Sequence, residues 1–531
     1  MAFRRTVIPM RIAALVLCAA GLARAETPQA AFARVDKARV SSDEARGRIA
    51  TVVQALNDAG MPRSATVLLA ALASDDQQSD GVRSAARAEL ASRAVIDPSL
   101  AQLLLAQQND PGKLPPALAL RLARGFLEQA LQLTPIEEGV AFQTGEISRP
   151  TSEKSIVSPK LALQILDKAR ALAASVPVED PGQADALEIS GLAALAAGDD
   201  DNAVKEFLAL AQLPVKRGDE ASAERRDKAL LQLARLAYQS GDDARATQLY
   251  DRVGRGAPEW LDALFEASWS HFRKGEDEKA LGNILTLHAP FFAQRFFPES
   301  FVLKALVLYE NCRYADARAT LADFEQRYRP LHDGLAATLA SLTTPQAAAE
   351  FLTGPKPFVA GPARDEVARI EQEPDVQGAA QAAVQLAQEI DSLDRRPAVF
   401  RNSALIARVA PLARQARIAL LDSAGRKLIA RLGQERSELR ELLGQSLRLS
   451  YEIAGREKDL ALNPEAGLAP VNRKDPPQVS DDEELWPFQG EYWRDELGNY
   501  RYQLGQRCRK PRTPPQTASQ PQPAPEKVAT P

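Results

Sequence analysis

Few side chains in this chain of 531 residues are spaced to do chemistry. Its three histidines, His271, His288 and His332, match no metal-ligand spacing, and a lone histidine in a helical pattern is ordinarily structural. No phosphate-cradling Walker loop, dinucleotide glycine fingerprint or Gly-x-Ser-x-Gly elbow occurs. One acid–hydroxyl pair opens a helical stretch at Glu299-Ser300-Phe301, but the helix dipole alone favours a Glu there. The remaining reactive groups are Cys18, Cys312 and Cys508. The chain therefore points to no metal, no cofactor and no small-molecule ligand, and attention moves to the elements that would position its side chains.

Those elements share one ruler. Ala203, Ala246, Ala280 and Ala317 each follow a small residue by twelve positions and precede a bulky one by four. Gly198, Gly241 and Gly275 lie five residues before three of them, and Cys312 takes that place in the fourth. The steps between the alanines are 43, 34 and 37 residues. A glycine between two helices accepts the left-handed turn that ends the first. The small Ala lets two backbones approach, and the bulky residue one turn later fills the groove. The best copy carries Gly241, Ala246, Tyr250, Val253 and Pro258, and a further candidate lies at Gly60 and Ala65. These marks resemble the tetratricopeptide repeat over residues 184–331. The resemblance implies an all-α fold, an irregular helical-repeat solenoid, and a surface that holds other proteins rather than a catalyst.

The chain opens with a leader. Arg4, Arg5 and Arg11 precede an 11-residue apolar run, Ile12 to Leu22, and a small-x-small site at Ala23-Arg24-Ala25. The run is too short to span a bilayer, so residues 1–25 read as a cleaved signal peptide of a periplasmic protein, with a possible association with the outer membrane left open. Loss of the leader's four arginines takes the net charge from −4 to about −8, which argues against nucleic acid as a partner. No later segment is apolar enough to cross a membrane.

Residues 26–135 read as further helical pairs, 136–183 as a loop and connecting helix, and 332–374, rich in Pro and Gly, as a linker or insertion. Residues 375–463 read as long helices. Leu421, Leu428, Leu432, Leu439, Leu442, Leu449, Ile453 and Leu460 fall on the alternating seam of a seven-residue repeat, with Gly425, Glu435, Ser446 and Arg456 at the other four seam positions. That pattern fits either a coiled coil or long helices packed on the solenoid. Residues 464–510 are acidic and then aromatic, with Trp486, Phe488, Tyr492, Trp493, Tyr500 and Tyr502 inside 17 residues. The tail, 511–531, holds seven prolines in 21 residues and reads as disordered. Once Cys18 leaves with the leader, Cys312 and Cys508 could join and staple the aromatic segment to the repeats. Two free thiols, or pairing between chains, are the alternatives.

In the tetratricopeptide family the first helix of each unit lines the concave side. The resemblance then places Arg235, Tyr238, Gln239, Phe265, Trp269, Phe272, Arg273, Leu306 and Tyr309 in an aromatic, partly basic groove suited to an acidic, aromatic peptide. The alternative is that the rings pack on the next helix. The segment around Trp486, Phe488, Tyr492 and Trp493 either folds back into that groove or serves as a docking motif for another envelope protein. A shorter resemblance, on Asn311-Cys312-Arg313-Tyr314 and Gly490 to Gly498, is to repeat proteins of the gliding-motility envelope machinery of myxobacteria. The function expected is a non-catalytic scaffold with other envelope proteins as partners. Two alternatives stand beside it. One is a peptidoglycan-associated enzyme or enzyme subunit, since Glu299-Ser300 resembles the Glu-Ser of peptidoglycan-cleaving transglycosylases without their later motifs. The other is a chaperone-like or cell-division factor.

Overall fold

The computed structural model describes residues 42–93, 114–133, 159–463 and 486–508 with short breaks, the four residues of a small β-ladder, and the isolated Phe32, Leu468 and a few others. Residues 1–25, read as a leader, the tail and most of 464–485 lie outside the described residues. Eighteen α-helices carry the fold among them. The chain opens with α1 (Ser42–Asp58), α2 (Pro62–Ser74), α3 (Asp80–Arg93) and α4 (Pro116–Leu133). The ladder sits in the expected loop and pairs Phe142 with Ile147 and Gln143 with Glu146. After α5 (Pro159–Ala174) come four helix pairs. They are α6 (Gln183–Ala196) with α7 (Asp200–Gln212), α8 (Glu220–Gln239) with α9 (Asp243–Tyr250), α10 (Trp260–Arg273) with α11 (Asp277–Leu287), and α12 (Glu299–Glu310) with α13 (Tyr314–Ser341). Each helix packs on its neighbours in sequence, as a solenoid requires.

The turns inside the pairs are built alike. Gly198, Gly241 and Gly275 have φ of 75°, 84° and 74°. Cys312, at φ 57°, is the non-glycine residue with positive φ among the described residues. In each turn the amide three residues past the helix end reaches back to a carbonyl five residues earlier. Asp199 N bonds Ala194 O, Asp242 N bonds Ala237 O, Glu276 N bonds His271 O and Arg313 N bonds Leu308 O, at 2.8–2.9 Å. This closure satisfies carbonyls the helix leaves open. Gly60, at φ 68°, forms the same turn through Met61 N to Leu56 O. Ala203, Ala246, Ala280, Ala317 and Ala65 are all fully buried. A Cβ on Gly191 would stand 2.7 Å from the Phe207 ring, so that small–large pair is a contact.

Helices occupy much of 332–374, the stretch read as a linker or insertion. α13 runs on through Pro330 to Ser341 and is followed by α14 (Pro345–Thr353) and α15 (Ala363–Glu371). Proline misled there because two of its positions open helices. Pro345 occupies the first turn of α14 behind the cap Thr344, where a missing N–H costs nothing. Pro362 stands just before α15.

The long helices are α16 (Pro374–Ser392), the single-turn α17 (Ala398–Arg401) and α18 (Ala404–Leu462), a 59-residue helix about 88 Å long at 1.5 Å per residue. The seam of α18 is packed within this chain. Its start joins α1 and α2 through Leu405, Ile406 and Val409. Its middle lies on α16, α14, α15 and α13, and its end reaches α12. Leu428, Leu432, Leu439 and Leu442 share a core with Phe324, Tyr328 and Leu335 of α13. Two of the other four seam positions meet specific groups on neighbouring helices. Glu435, 2 % exposed, pairs with Arg369 of α15 and with Arg431 at 3.0 Å. Gly425 lies against α14, where a Cβ would come within 2.0 Å of the Pro345 carbonyl oxygen.

α16 closes the other end. Glu389 accepts from Arg63 N at 2.9 Å, Ser64 N at 2.8 Å and Ser64 Oγ at 2.7 Å. It supplies the cap that Met61, before α2, cannot.

Substitutions along α18 should therefore split by position. Gly425→Ala forces α14 to move and should cost about 1–3 kcal/mol. Gly433→Ala and Gly444→Ala meet nothing within 4 Å and should each gain up to about 1 kcal/mol from helix propensity. Urea unfolding midpoints read both signs, and equal shifts at the three sites would contradict this packing.

Candidate docking surface

The structure separates the expected groove residues into two groups. Trp269 and Phe272, 7 % and 4 % exposed, meet edge to face at 6.0 Å and share a core with Leu449 and Ile453 of α18. They are closed to a ligand, which corrects their placement in an open groove. The register put them on the inward face, and the apolar seam of α18 covers that face. Phe265 is half-buried against Phe297 at 5.9 Å. Leu306 packs against the same core. Tyr309 lies 5.7 Å from Tyr314, with its hydroxyl 3.5 Å from Arg456 Nε of α18.

The second repeat is more open. Arg235 and Gln239 are exposed, but Arg235 is not a free cation. It forks onto Glu266 with contacts of 2.7–3.1 Å, and the Tyr250 hydroxyl donates to the same carboxylate at 3.1 Å. Arg273 is neutralised in the same way. It pairs with Asp243 at 3.1 Å, donates to Tyr238 O and stacks 4.4 Å above the Tyr238 ring.

The C-terminal segment docks elsewhere than in this groove. It runs along α11, the α9–α10 turn and the turn of the fourth pair. Gly498 N donates to Thr286 Oγ1 at 2.9 Å. Arg255 donates to Asp495 O at 3.1 Å and to Asn499 Oδ1 at 2.7 Å. Leu497 and Leu504 are buried, and Leu504 joins the core of the third and fourth pairs. Tyr500 O passes so close to α11 that only a glycine fits at Gly282, where a Cβ would stand 2.1 Å away. Arg507 N bonds Asn311 O, and Cys508 is joined to Cys312 by a disulfide with Cα atoms 5.2 Å apart. The residue that takes the left-handed turn of the fourth pair thus also anchors the segment.

This anchoring leaves one part of the segment uncovered. Trp486, Phe488 and Trp493 are 68 %, 44 % and 53 % exposed. Phe488 also joins Tyr492 and Tyr500 in an edge-to-face trio at 5.2–5.8 Å. The Tyr500 hydroxyl accepts from Trp493 N at 3.0 Å, and Arg494 stacks 5.1 Å from the Phe291 ring. Aromatic density was the signal in the sequence; which rings would stay outside was not.

Two polar arrangements resemble catalytic parts. His288 Nε2 lies 2.8 Å from Ser300 Oγ, a serine–histidine contact the sequence spacing did not suggest. Ser300 is fully buried, its hydroxyl donates to Phe297 O at 2.6 Å, and His288 stacks on Phe301 at 4.1 Å. Burial, with Lys304 and Arg327 nearby, pulls the imidazole down to about 3, so it is neutral. At Glu299, burial pushes the carboxyl up to about 8; Glu438 and Glu441 of α18 add to the rise, and a hydrogen bond from Trp269 opposes it. Among the described residues no group of three His, Cys, Asp or Glu is arranged to hold a metal ion. No described helix is long and apolar enough to cross a membrane.

No protein-family profile matches the chain. No curated protein matches it either. Among solved structures it is similar to a circular tandem repeat protein with novel repeat topology and enhanced subunit contact surfaces. The identity is 15 %, over 80 % of this chain and 91 % of that one, with a TM-score of 0.14. A score that low assigns no shared site and no shared partner.

Two outcomes follow. Reducing the disulfide, or Cys508→Ser, opens a loop spanning 196 residues and should cost on the order of 5 kcal/mol in the loop-closure picture. Hydrogen exchange should show the Gly498 amide losing protection, and unchanged protection would mean the segment docks without its anchor. For Glu299, the folded state holds its proton to higher pH than the unfolded state, so the stability this proton brings is full below about pH 4.5 and gone above about pH 8. Glu299→Gln should melt above the wild type by a margin that widens from pH 5 to pH 8.5. Parallel melting profiles would show that Glu299 ionises normally.

Proposed function

We propose that this chain is a non-catalytic scaffold of a bacterial envelope complex, and that its working surface is the anchored aromatic segment. The observation that carries the reading is the set of exposed rings at Trp486, Phe488 and Trp493, just ahead of a stretch, 495–508, fixed by Arg255, Thr286 and a disulfide, with the Phe488 ring packed on Tyr500 of that stretch. Rings held in place lose little entropy on binding and supply much of the energy at protein interfaces. A single exposed ring is ordinary, but three within eight residues form a patch that a partner would cover.

The envelope assignment rests on the leader at residues 1–25 and on the disulfide, a bond that oxidising compartments favour and reducing ones rarely keep. The resemblance of Asn311-Cys312-Arg313-Tyr314 and Gly490 to Gly498 to gliding-motility components narrows the complex to one that spans the envelope. The helical-repeat body then serves as a rigid frame that holds the segment at a fixed place.

A photo-crosslinking residue at position 489, beside the rings, tests this in intact cells. A discrete adduct with an envelope protein is expected. It should fall roughly 30-fold in Trp486→Ala/Trp493→Ala, at about 1 kcal/mol or more per ring, with the urea midpoint unchanged. Absence of an adduct, or one indifferent to the rings, would overturn the assignment of this surface.

A further inference from the structure

The first-helix face stays open where α18 does not reach. Between α6, α7, α8 and the start of α10 lies a cavity of about 280 Å³. Its apolar wall includes Leu192, Leu210 and Leu231, and its charged lining includes Lys228, Arg235, Glu259 and Asp262. The cations are already engaged. Arg235 forks onto Glu266, and Lys228 donates to Glu224 at 2.7 Å.

The carboxylates are not matched in the same way. Glu259 Oε1 stands 3.9 Å from Lys228 Nζ, and its buried Oε2 has no hydrogen-bond partner. Asp262 is influenced by Arg235 and Arg295 only at a distance. Burial, with Glu266 alongside, pushes Asp262 up to about 6, and burial raises Glu259 as well. Carboxylates behave so when desolvated without an adequate counter-ion.

We propose that this cavity receives the side chain of a lysine or arginine carried by an extended segment of a partner protein. The aliphatic stem lies along Leu192, Leu210 and Leu231, and the cationic head meets Glu259 and Asp262. The volume lies just under the range of small-molecule sites and suits one side chain. A metal ion is a poor occupant, because no group of three His, Cys, Asp or Glu among the described residues is arranged as ligands. The charge preference is opposite to the one expected from Arg235 and Arg273 as free groove cations, since both carry their own carboxylates. This inference rests on reading the chain as a protein-binding scaffold, but on a surface separate from the aromatic segment.

The full chain without its leader, selected against a displayed library of nine-residue peptides, tests it. Enrichment of Lys or Arg at one position is expected. The best peptide should bind at least tenfold more weakly when that residue becomes norleucine, a comparison that needs no protein variant. Glu259→Gln/Asp262→Asn should weaken it by a similar factor, while Trp493→Ala should leave it unchanged. Enrichment of acidic or neutral peptides, no binders, or equal affinity for the norleucine peptide would overturn the proposal. If that happens while the cross-link beside Trp486 and Trp493 persists, the cavity assignment fails and the scaffold reading stands. Loss of both would remove the scaffold reading as well.

Discussion

The fold depends on one long apolar seam. A helix of 59 residues cannot be stabilised by propensity alone, and α18 buries its seam along most of its length. Leu405 and Val409 enter the N-terminal core, Leu428 to Leu442 the core with α13, and Leu449 and Ile453 the core of the third and fourth pairs. Three hydrophobic clusters that a solenoid would keep apart are thus joined by one element. Two seam positions that are not apolar, Gly425 and Glu435, set the register. Gly425 admits the Pro345 carbonyl, and Glu435 is held between Arg369 and Arg431. Burial and the neighbouring Glu366 push the Glu435 carboxyl up against the pull of those arginines. A slip of one helical turn would part it from Arg369 of α15 and leave only Arg431 of its own helix, which is costly.

The repeat pairs were legible from residue types whose reasons are local. Gly198, Gly241 and Gly275 end helices because they accept positive φ, and Ala246 or Ala280 mark close approach. In 332–374 the same residue types hid the helices rather than marking them. Pro345 and Pro362 looked like breaks, yet each stands at a helix start, and only the position of the cap tells the two cases apart. The seam of α18 was visible as a seven-residue pattern. What it packs on was not, because a period reports a buried stripe and says nothing of the surface opposite.

The candidate site was legible in composition and not in geometry. Trp269 and Phe272 fell on the inward face as the register implied, but that face is covered by α18. Arg235 and Arg273 looked like groove cations because their partners, Glu266 and Asp243, lie 31 and 30 residues away in sequence. The aromatic segment binds through its backbone and through Leu497 and Leu504. This leaves its largest rings outside, the reverse of what hydrophobicity alone suggests.

Glu389 capping α2 has a consequence for how such a molecule can change its size. Arg63 and Ser64 lie more than 300 residues from the carboxylate that satisfies their amides. An open array of repeats can gain or lose a unit at little cost, because each unit touches only its neighbours. Here the two ends are tied across the array by a helix of set length. Duplicating one pair would displace Glu389 and α18 from their contacts unless α18 lengthened in step. Repeat number and strut length are therefore inherited together, and unequal crossing-over within the repeats, the usual route by which arrays expand, meets a mechanical veto.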